Sequence, residues 1–148
     1  MLTRKTKYAL KALVVLGEEY GEKPVLISDL ARRERIPKKF LELILLDLRN
    51  LGILRSKKGR GGGYSLAKAP REIRIGSVVR AFDGPLAPVA CASQTAYAKC
   101  DDCRDERTCA VRALMTEVRD STARILDGTT LDSMLGPAAR DAAKGRRR

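Results

Sequence analysis

Residues 28–66 read SDLARRERIPKKFLELILLDLRNLGILRSKKGRGGGYSL, and two periodicities inside that stretch decide the fold. From Lys38 to Asn50 the apolar positions Leu41, Ile44, Leu45 and Leu48 recur at three- and four-residue spacing, which marks one buried helix face. Pro37 suits the first turn of this helix, and Gly52 follows its end, as glycine commonly does after a helix C-terminus. Ahead of it, Ser28 suits the N-cap of a short helix, Asp29 to Glu34, and Arg35-Ile36-Pro37 forms a tight connection. Two short helices joined by three or four residues are the helix-turn-helix pattern. Then the period changes. Ile53-Leu54-Arg55-Ser56-Lys57 and Gly63-Tyr64-Ser65-Leu66 read as strands on either side of Lys58-Gly59-Arg60-Gly61-Gly62, a basic, glycine-rich hairpin tip. A hairpin directly after the second helix is the wing of a winged helix domain. The other reading of the glycines, a phosphate-cradling nucleotide loop, fails because no helix follows them and the Gly-Lys-Ser/Thr ending is missing.

Outward from this stretch, Thr3 caps a helix running to about Tyr20, with Ala9, Leu13 and Leu16 and, beside them, Tyr8, Ala12 and Val15 on one face. Residues 73–82 suggest a further short helix carrying Ile75, Val78, Val79 and Phe82, broken by Asp83-Gly84-Pro85. A loop to about Arg107 holds Cys91, Cys100 and Cys103, and Cys109 follows just beyond it. Thr108 to Asp127 is strongly helical, with Val111, Leu114, Met115, Val118, Thr122, Ile125 and Leu126 along one stripe. That stripe needs a partner surface, either its own domain or a two-fold mate. The mate is preferred, because helix-turn-helix proteins usually read paired half-sites. The expected fold is therefore mainly α with a small β-hairpin wing: a winged helix-turn-helix domain plus a long C-terminal dimerisation helix. The expected segments are a DNA-binding domain over 1–82, a cysteine-bearing sensor loop over 83–107, a dimerisation helix and end segment over 108–135, and a disordered basic tail over 136–148.

Charge placement agrees. The net charge is +12, and residues 1–80 hold 19 Lys/Arg against 8 Asp/Glu. Residues 81–143 hold 7 against 10, and Lys144 to Arg148 restore the excess. A basic first half beside a mildly acidic second half points to a polyanion-binding module joined to something else, although basic residues also serve simply to solubilise a surface. The chain contains no histidine, which excludes His-dependent triads, Cys/His zinc fingers and imidazole general bases. An enzyme is not expected. A redox catalyst built on Cys100-x2-Cys103 would lack both the surrounding βαβ pattern and a His base. No apolar run reaches the roughly 20 residues of a membrane span, so a cytoplasmic protein is expected.

A recognition helix enters the major groove by its N-terminal end, where Lys38, Lys39, Phe40 and Glu42 lie. The two lysines suit phosphates or guanine edges. Glu42 suits cytosine N4, and a plain surface role fits it equally well. Arg60 at the wing tip suits the adjacent minor groove. Arg32, Arg33, Arg55, Lys57 and Lys58 suit phosphates, which set affinity and position but not sequence.

Cys91, Cys100, Cys103 and Cys109 have the spacing C-x8-C-x2-C-x5-C. Four cysteines within one short loop of a cytosolic chain favour metal binding or redox chemistry over structural disulfides. Thiolates suit an iron–sulfur cluster or Zn²⁺, and four of them complete either. A thiol switch also stays open.

The opening Leu2-Thr3-Arg4-Lys5-Thr6-Lys7-Tyr8-Ala9-Leu10, with Ile27-Ser28-Asp29-Leu30-Ala31, Gly59 to Leu66 and Thr129-Thr130-Leu131, resembles the Rrf-two (Rrf2) family of regulators. The resemblance covers roughly residues 1–135. It implies a homodimer crossed through the long helix, a palindromic DNA operator, and a transcription factor, often a repressor. It also favours an iron–sulfur cluster, because cluster-binding members carry three cysteines in this loop; Cys103-x5-Cys109 matches the second and third, and Cys91 lies near the first. Two departures stand out. Cys100 is extra, and Arg112 stands where a histidine ligand is found in the family's cluster regulator, so Cys100 becomes the candidate fourth ligand. The expected function is a DNA-binding regulator whose affinity is set by a cysteine-ligated cluster or by thiol redox state. The alternative is a constitutive DNA-binding regulator with a structural zinc site.

Overall fold

A computed structural model describes residues 2–137. Its elements are α1 (Arg4–Glu18), α2 (Ile27–Glu34), α3 (Lys38–Asn50), β1 (Leu54–Lys57), β2 (Gly63–Leu66), α4 (Ile75–Asp83), α5 (Ala110–Gly128) and α6 (Leu131–Met134). Helix α1 is the axle. Its Ala9, Leu13 and Leu16 are fully or almost fully buried against Leu41, Ile44, Leu45 and Leu48 of α3 and Val78 of α4. At about 25 cal/mol per Å² of apolar surface removed from water, that cluster supplies the main drive for folding.

Thr3 caps α1 as its sequence position implies: its side chain accepts from the Thr6 amide at 3.2 Å. The same cap is braced from across the fold. Asp83, at the end of α4, accepts from the hydroxyls of Thr3 and Thr6, each at 2.6 Å, and so ties the start of α1 to the end of α4. Helix α2 begins earlier than the Ser28 cap implies. Leu26 stands at the N-cap without a side-chain bond, and Ser28 is an exposed first-turn residue. Packing explains the difference: half-buried Ile27 lies against the core, and drawing it into the helix outweighs one capping bond of about 1 kcal/mol.

The hairpin β1–β2 is antiparallel and pairs Leu54 with Leu66 and Lys57 with Gly63. A short third arm joins it. Val25 and Tyr64 exchange backbone hydrogen bonds of 2.8 Å in both directions, which anchors the wing to the segment before α2. Gly63 is demanded there, since its φ is +139° and a Cβ would lie 2.3 Å from the Val25 carbonyl oxygen.

Two further differences concern the C-terminal half. The segment 83–107 carries two single 3-10 turns, Ala90–Ala92 and Glu106–Thr108. Beyond α5, the chain turns back instead of trailing off. Helix α6, capped by Thr130, drives Leu131 to 0% and Leu135 to 2% exposure beneath α1, so this end segment belongs to the winged-helix core. The arginine tail expected to be disordered lies, from residue 138 on, outside the described residues. Among the described residues no helix is long and apolar enough to cross a membrane.

Candidate nucleic-acid interface and cysteine pocket

With Leu41, Ile44, Leu45 and Leu48 buried, helical geometry turns residues 39, 42, 43 and 46 of α3 outward. Lys38, Lys39 and Glu42 are exposed, as a base-reading end requires. Phe40 is not. It is half-buried, packed on the core and in an edge-on contact with Tyr8 at 5.7 Å, so it props the helix. Leu43 (59% exposed) and Leu46 (37%) share the outward face and were not singled out from sequence. The available signal was that Leu43-Ile44-Leu45-Leu46 is too long an apolar run for one stripe. Lys5 holds α3 from behind through a 2.8 Å ion pair with Asp47.

Arg55, Lys57, Lys58 and Arg60 are all exposed along the wing, with Arg60 between Gly59 and Gly61, both at positive φ. The two α2 arginines divide. Arg32 is 82% exposed and pairs with its own-helix Asp29, whereas Arg33 is spanned by Glu18 at 3.0 Å and Glu19 at 3.6 Å. Arg33 thus braces α2 against α1.

The four cysteines converge from three elements. Cys91 comes from the first 3-10 turn, Cys100 and Cys103 from the loop, and Cys109 from the N-cap of α5, and together they line one open cavity of about 450 Å³. All four thiols are free, with Cys91 buried and Cys100 exposed. Helix α5 organises the pocket. The Cys109 sulfur accepts from the Arg112 amide at 3.4 Å, Arg112 Nε donates to the Cys91 carbonyl at 3.1 Å, and two turns later Arg119 donates to the Ala92 carbonyl. Within the same segment, Tyr97 donates its hydroxyl to Glu106.

Hydrogen bonding to Cys91, and then the charge of that sulfur, pushes the Cys100 thiol above the ordinary thiol range. Desolvation, followed by the Glu106 carboxylate, pushes Cys103 in the same direction. These two thiols are thus protonated at neutral pH unless a cation compensates them, unlike the low-pKa thiolates of reactive switches. Among the described residues no three His, Cys, Asp or Glu side chains are disposed to hold one metal ion. The cavity is lined by four soft sulfur donors, a set that suits either an iron–sulfur cluster or Zn²⁺.

Helix α5 itself contains no buried residue. Val111, Leu114, Val118 and Ile125 are 62%, 55%, 40% and 60% exposed, an apolar face with no cover among the described residues.

A family model described as an iron-dependent transcriptional regulator, Rrf2, matches residues 2–137. The chain is 48% identical over 147 residues to a protein named as an rrf2-like HTH-type transcriptional regulator in Rhodobacter capsulatus, covering 97% of each. It is 36% identical to the HTH-type transcriptional regulator NsrR of Geobacillus kaustophilus, over 90% of this chain and 88% of that one. Among solved structures, CymR, the global cysteine regulator of B. subtilis, superposes with a TM-score of 0.76 at 29% identity, covering 90% of this chain and 95% of that one.

Proposed function

The chain belongs to the Rrf2 family of DNA-binding transcriptional regulators, and from that premise we propose that it is a homodimeric operator-binding protein whose DNA affinity is set by an iron–sulfur cluster in the cysteine pocket. The observation that carries this reading is that four free cysteines line one cavity at the foot of the helix whose apolar face lacks a cover. The pocket and the proposed dimer helix are one mechanical unit. Cys109 is both a pocket residue and the cap of α5, and Arg112 and Arg119 clamp the Cys91–Ala92 turn onto it.

Cys91, Cys103 and Cys109 are the proposed cluster ligands, with Cys100 as the fourth in place of a histidine that this chain lacks. A bound cluster supplies a centre that responds to iron, oxygen or nitric oxide. The chain's own part is to hold four sulfurs on one rim and to transmit any movement of that rim to the first turn of α5. Across a two-fold dimer, rotation of α5 changes the separation of the two α3 helices, and operators reward only one separation. A structural zinc site is the alternative reading, since four cysteine thiolates also complete a zinc site.

Anaerobic purification followed by ultraviolet–visible spectroscopy and iron and sulfide analysis tests the cofactor. Operator affinity of the holo-protein, the apo-protein and a Cys103→Ala variant tests the coupling. Thiolate-to-iron absorption together with an affinity that differs between holo and apo forms is expected. A colourless protein after reconstitution, or equal affinities, overturns the sensing assignment and leaves family membership standing.

A further inference from the structure

On the outward face of α3, we infer that Leu43 and Leu46 form an apolar reading surface for thymine methyl groups in the major groove. This inference rests on the proposed role of α3 as the base-reading helix. Leu43 is 59% exposed and Leu46 37%, three residues apart, so their side chains are adjacent on one ridge. They occupy the same outward stripe as Lys39 and Glu42, opposite the buried stripe of Leu41, Ile44, Leu45 and Leu48.

An isolated exposed leucine needs no explanation, but this pair sits in a particular setting. Lys38 and Lys39 lie at the N-terminal end of the same helix, and the wing, whose β1 packs against α3, carries Arg55, Lys57, Lys58 and Arg60, all exposed. A hydrophobic protein partner would have to desolvate or pair those cations. A DNA duplex pairs them with phosphates along the groove edges and offers an apolar group inside the groove, the thymine C5-methyl. Charge complementarity therefore selects DNA as the occupant of this ridge. The division of labour then runs along one helix: Lys38 and Lys39 position it, Glu42 reads a polar edge, and Leu43 and Leu46 read methyls.

The test uses the anaerobically purified full-length protein. Selection from random duplexes gives its preferred half-site, and each thymine in that site is then replaced by uracil, which removes only the methyl. One buried methyl is worth about fourfold in affinity. Expected are one or two thymine-to-uracil positions per half-site that weaken wild-type binding about threefold to tenfold. Leu43→Ala or Leu46→Ala should bind the thymine and uracil duplexes equally at the position that leucine reads. Leu43→Gln, which keeps length and helix propensity, guards against a folding artefact and should show the same indifference. Wild-type binding unaffected by every uracil, or a uracil penalty that persists in both leucine variants, overturns this inference alone. Failure of the selection to enrich any sequence overturns the DNA-reading assignment of α3 and this inference with it.

Discussion

Arg112 reaches across from the first turn of α5 and donates its Nε–H to the backbone carbonyl of Cys91, 3.1 Å away. The contact spans 21 residues of sequence and joins the first cysteine of the pocket to the helix that the last cysteine caps. A histidine at this position could offer a ligand nitrogen; an arginine offers only donors. Its task is therefore to fix the position of Cys91.

Arg112→Ala should release the Cys91 turn without touching the buried core. Lost support of this kind typically lowers metal affinity about tenfold or more. The expected result is a marked fall in iron and sulfide per protomer after reconstitution, with a thermal midpoint close to that of the wild type. Full cluster occupancy in the variant would show that Arg112 does not position a ligand.

A second clamp lies at the other end of α5. Arg80 of α4 binds Asp127 through two hydrogen bonds of 2.6 and 2.9 Å, and the guanidinium holds the Asp127 carboxyl below the usual carboxylate range. Gly76 makes room for it, since a Cβ there would lie 1.9 Å from Asp127 Oδ1. The pair is half-exposed, so Asp127→Asn should cost only about 1 kcal/mol. Gly76→Ala should push the flexible carboxylate aside and forfeit the same bonds, so the double variant should be clearly less destabilised than the sum of the singles. Urea unfolding of the four proteins checks this, and full additivity would disprove the shared clamp.

The pH dependence follows from the same carboxylate and from Asp83. At Asp83 desolvation works upward, but hydrogen bonds from the Thr3 and Thr6 hydroxyls and the Thr3 amide outweigh it and hold the group low. A carboxyl whose folded pKa is depressed stabilises the fold fully above its unfolded value of about 3.9 and loses that contribution as pH falls through the folded value. Wild-type stability should therefore drop below about pH 4. The gap between wild type and Asp127→Asn should close over the same interval in urea titrations. A gap that stays constant down to pH 2 would contradict the assignment.

What was legible in the sequence was whatever a single period encodes. The α3 stripe and the wing's turn chemistry are local, so Leu41, Ile44, Leu45, Leu48 and the Lys58–Gly62 tip are legible in the sequence. Residues governed by tertiary neighbours carry contacts that no local pattern encodes. Phe40 sits in the reading end of α3 by number but faces Tyr8, and Arg33 reads as a free cation until Glu18 and Glu19 are folded against it. Helix α6 is only four residues long, too short for periodicity, and Leu131 declares itself only through burial under α1. The pocket was half legible: spacing grouped the cysteines, but the arginine clamps joining them to α5 leave no local pattern.

The exposed face of α5 gives a direct expectation for assembly. Leu114 and Val118 belong to no buried cluster, so Leu114→Glu/Val118→Glu should leave the protomer fold intact while placing two carboxylates in any interface formed there. Analytical ultracentrifugation should show a dimer for the wild type and a monomer for the variant, and loss of paired half-site binding should cost about a hundredfold in operator affinity. A variant that remains dimeric would move the interface elsewhere.

The wing gives the last expectation, and salt separates its parts. Each phosphate neutralised contributes about 0.9 to the slope of log affinity against log salt. Lys57 and Lys58 are exposed on the strand end and tip, so replacing each by alanine should flatten that slope by about one without changing which operators are preferred. Arg60 sits between two glycines at the apex, where it can enter the narrow minor groove of A-tract DNA. Arg60→Ala should therefore also erase a preference for A-tracts flanking the half-site. Gly63→Ala should lower both affinity and specificity, because a Cβ facing the Val25 carbonyl at 2.3 Å forces the hairpin off the Val25–Tyr64 bridge that aims it. Fluorescence anisotropy on A-tract and mixed-sequence duplexes at several salt concentrations distinguishes the three. Equal loss on both duplexes for Arg60→Ala would reduce that arginine to one more phosphate contact.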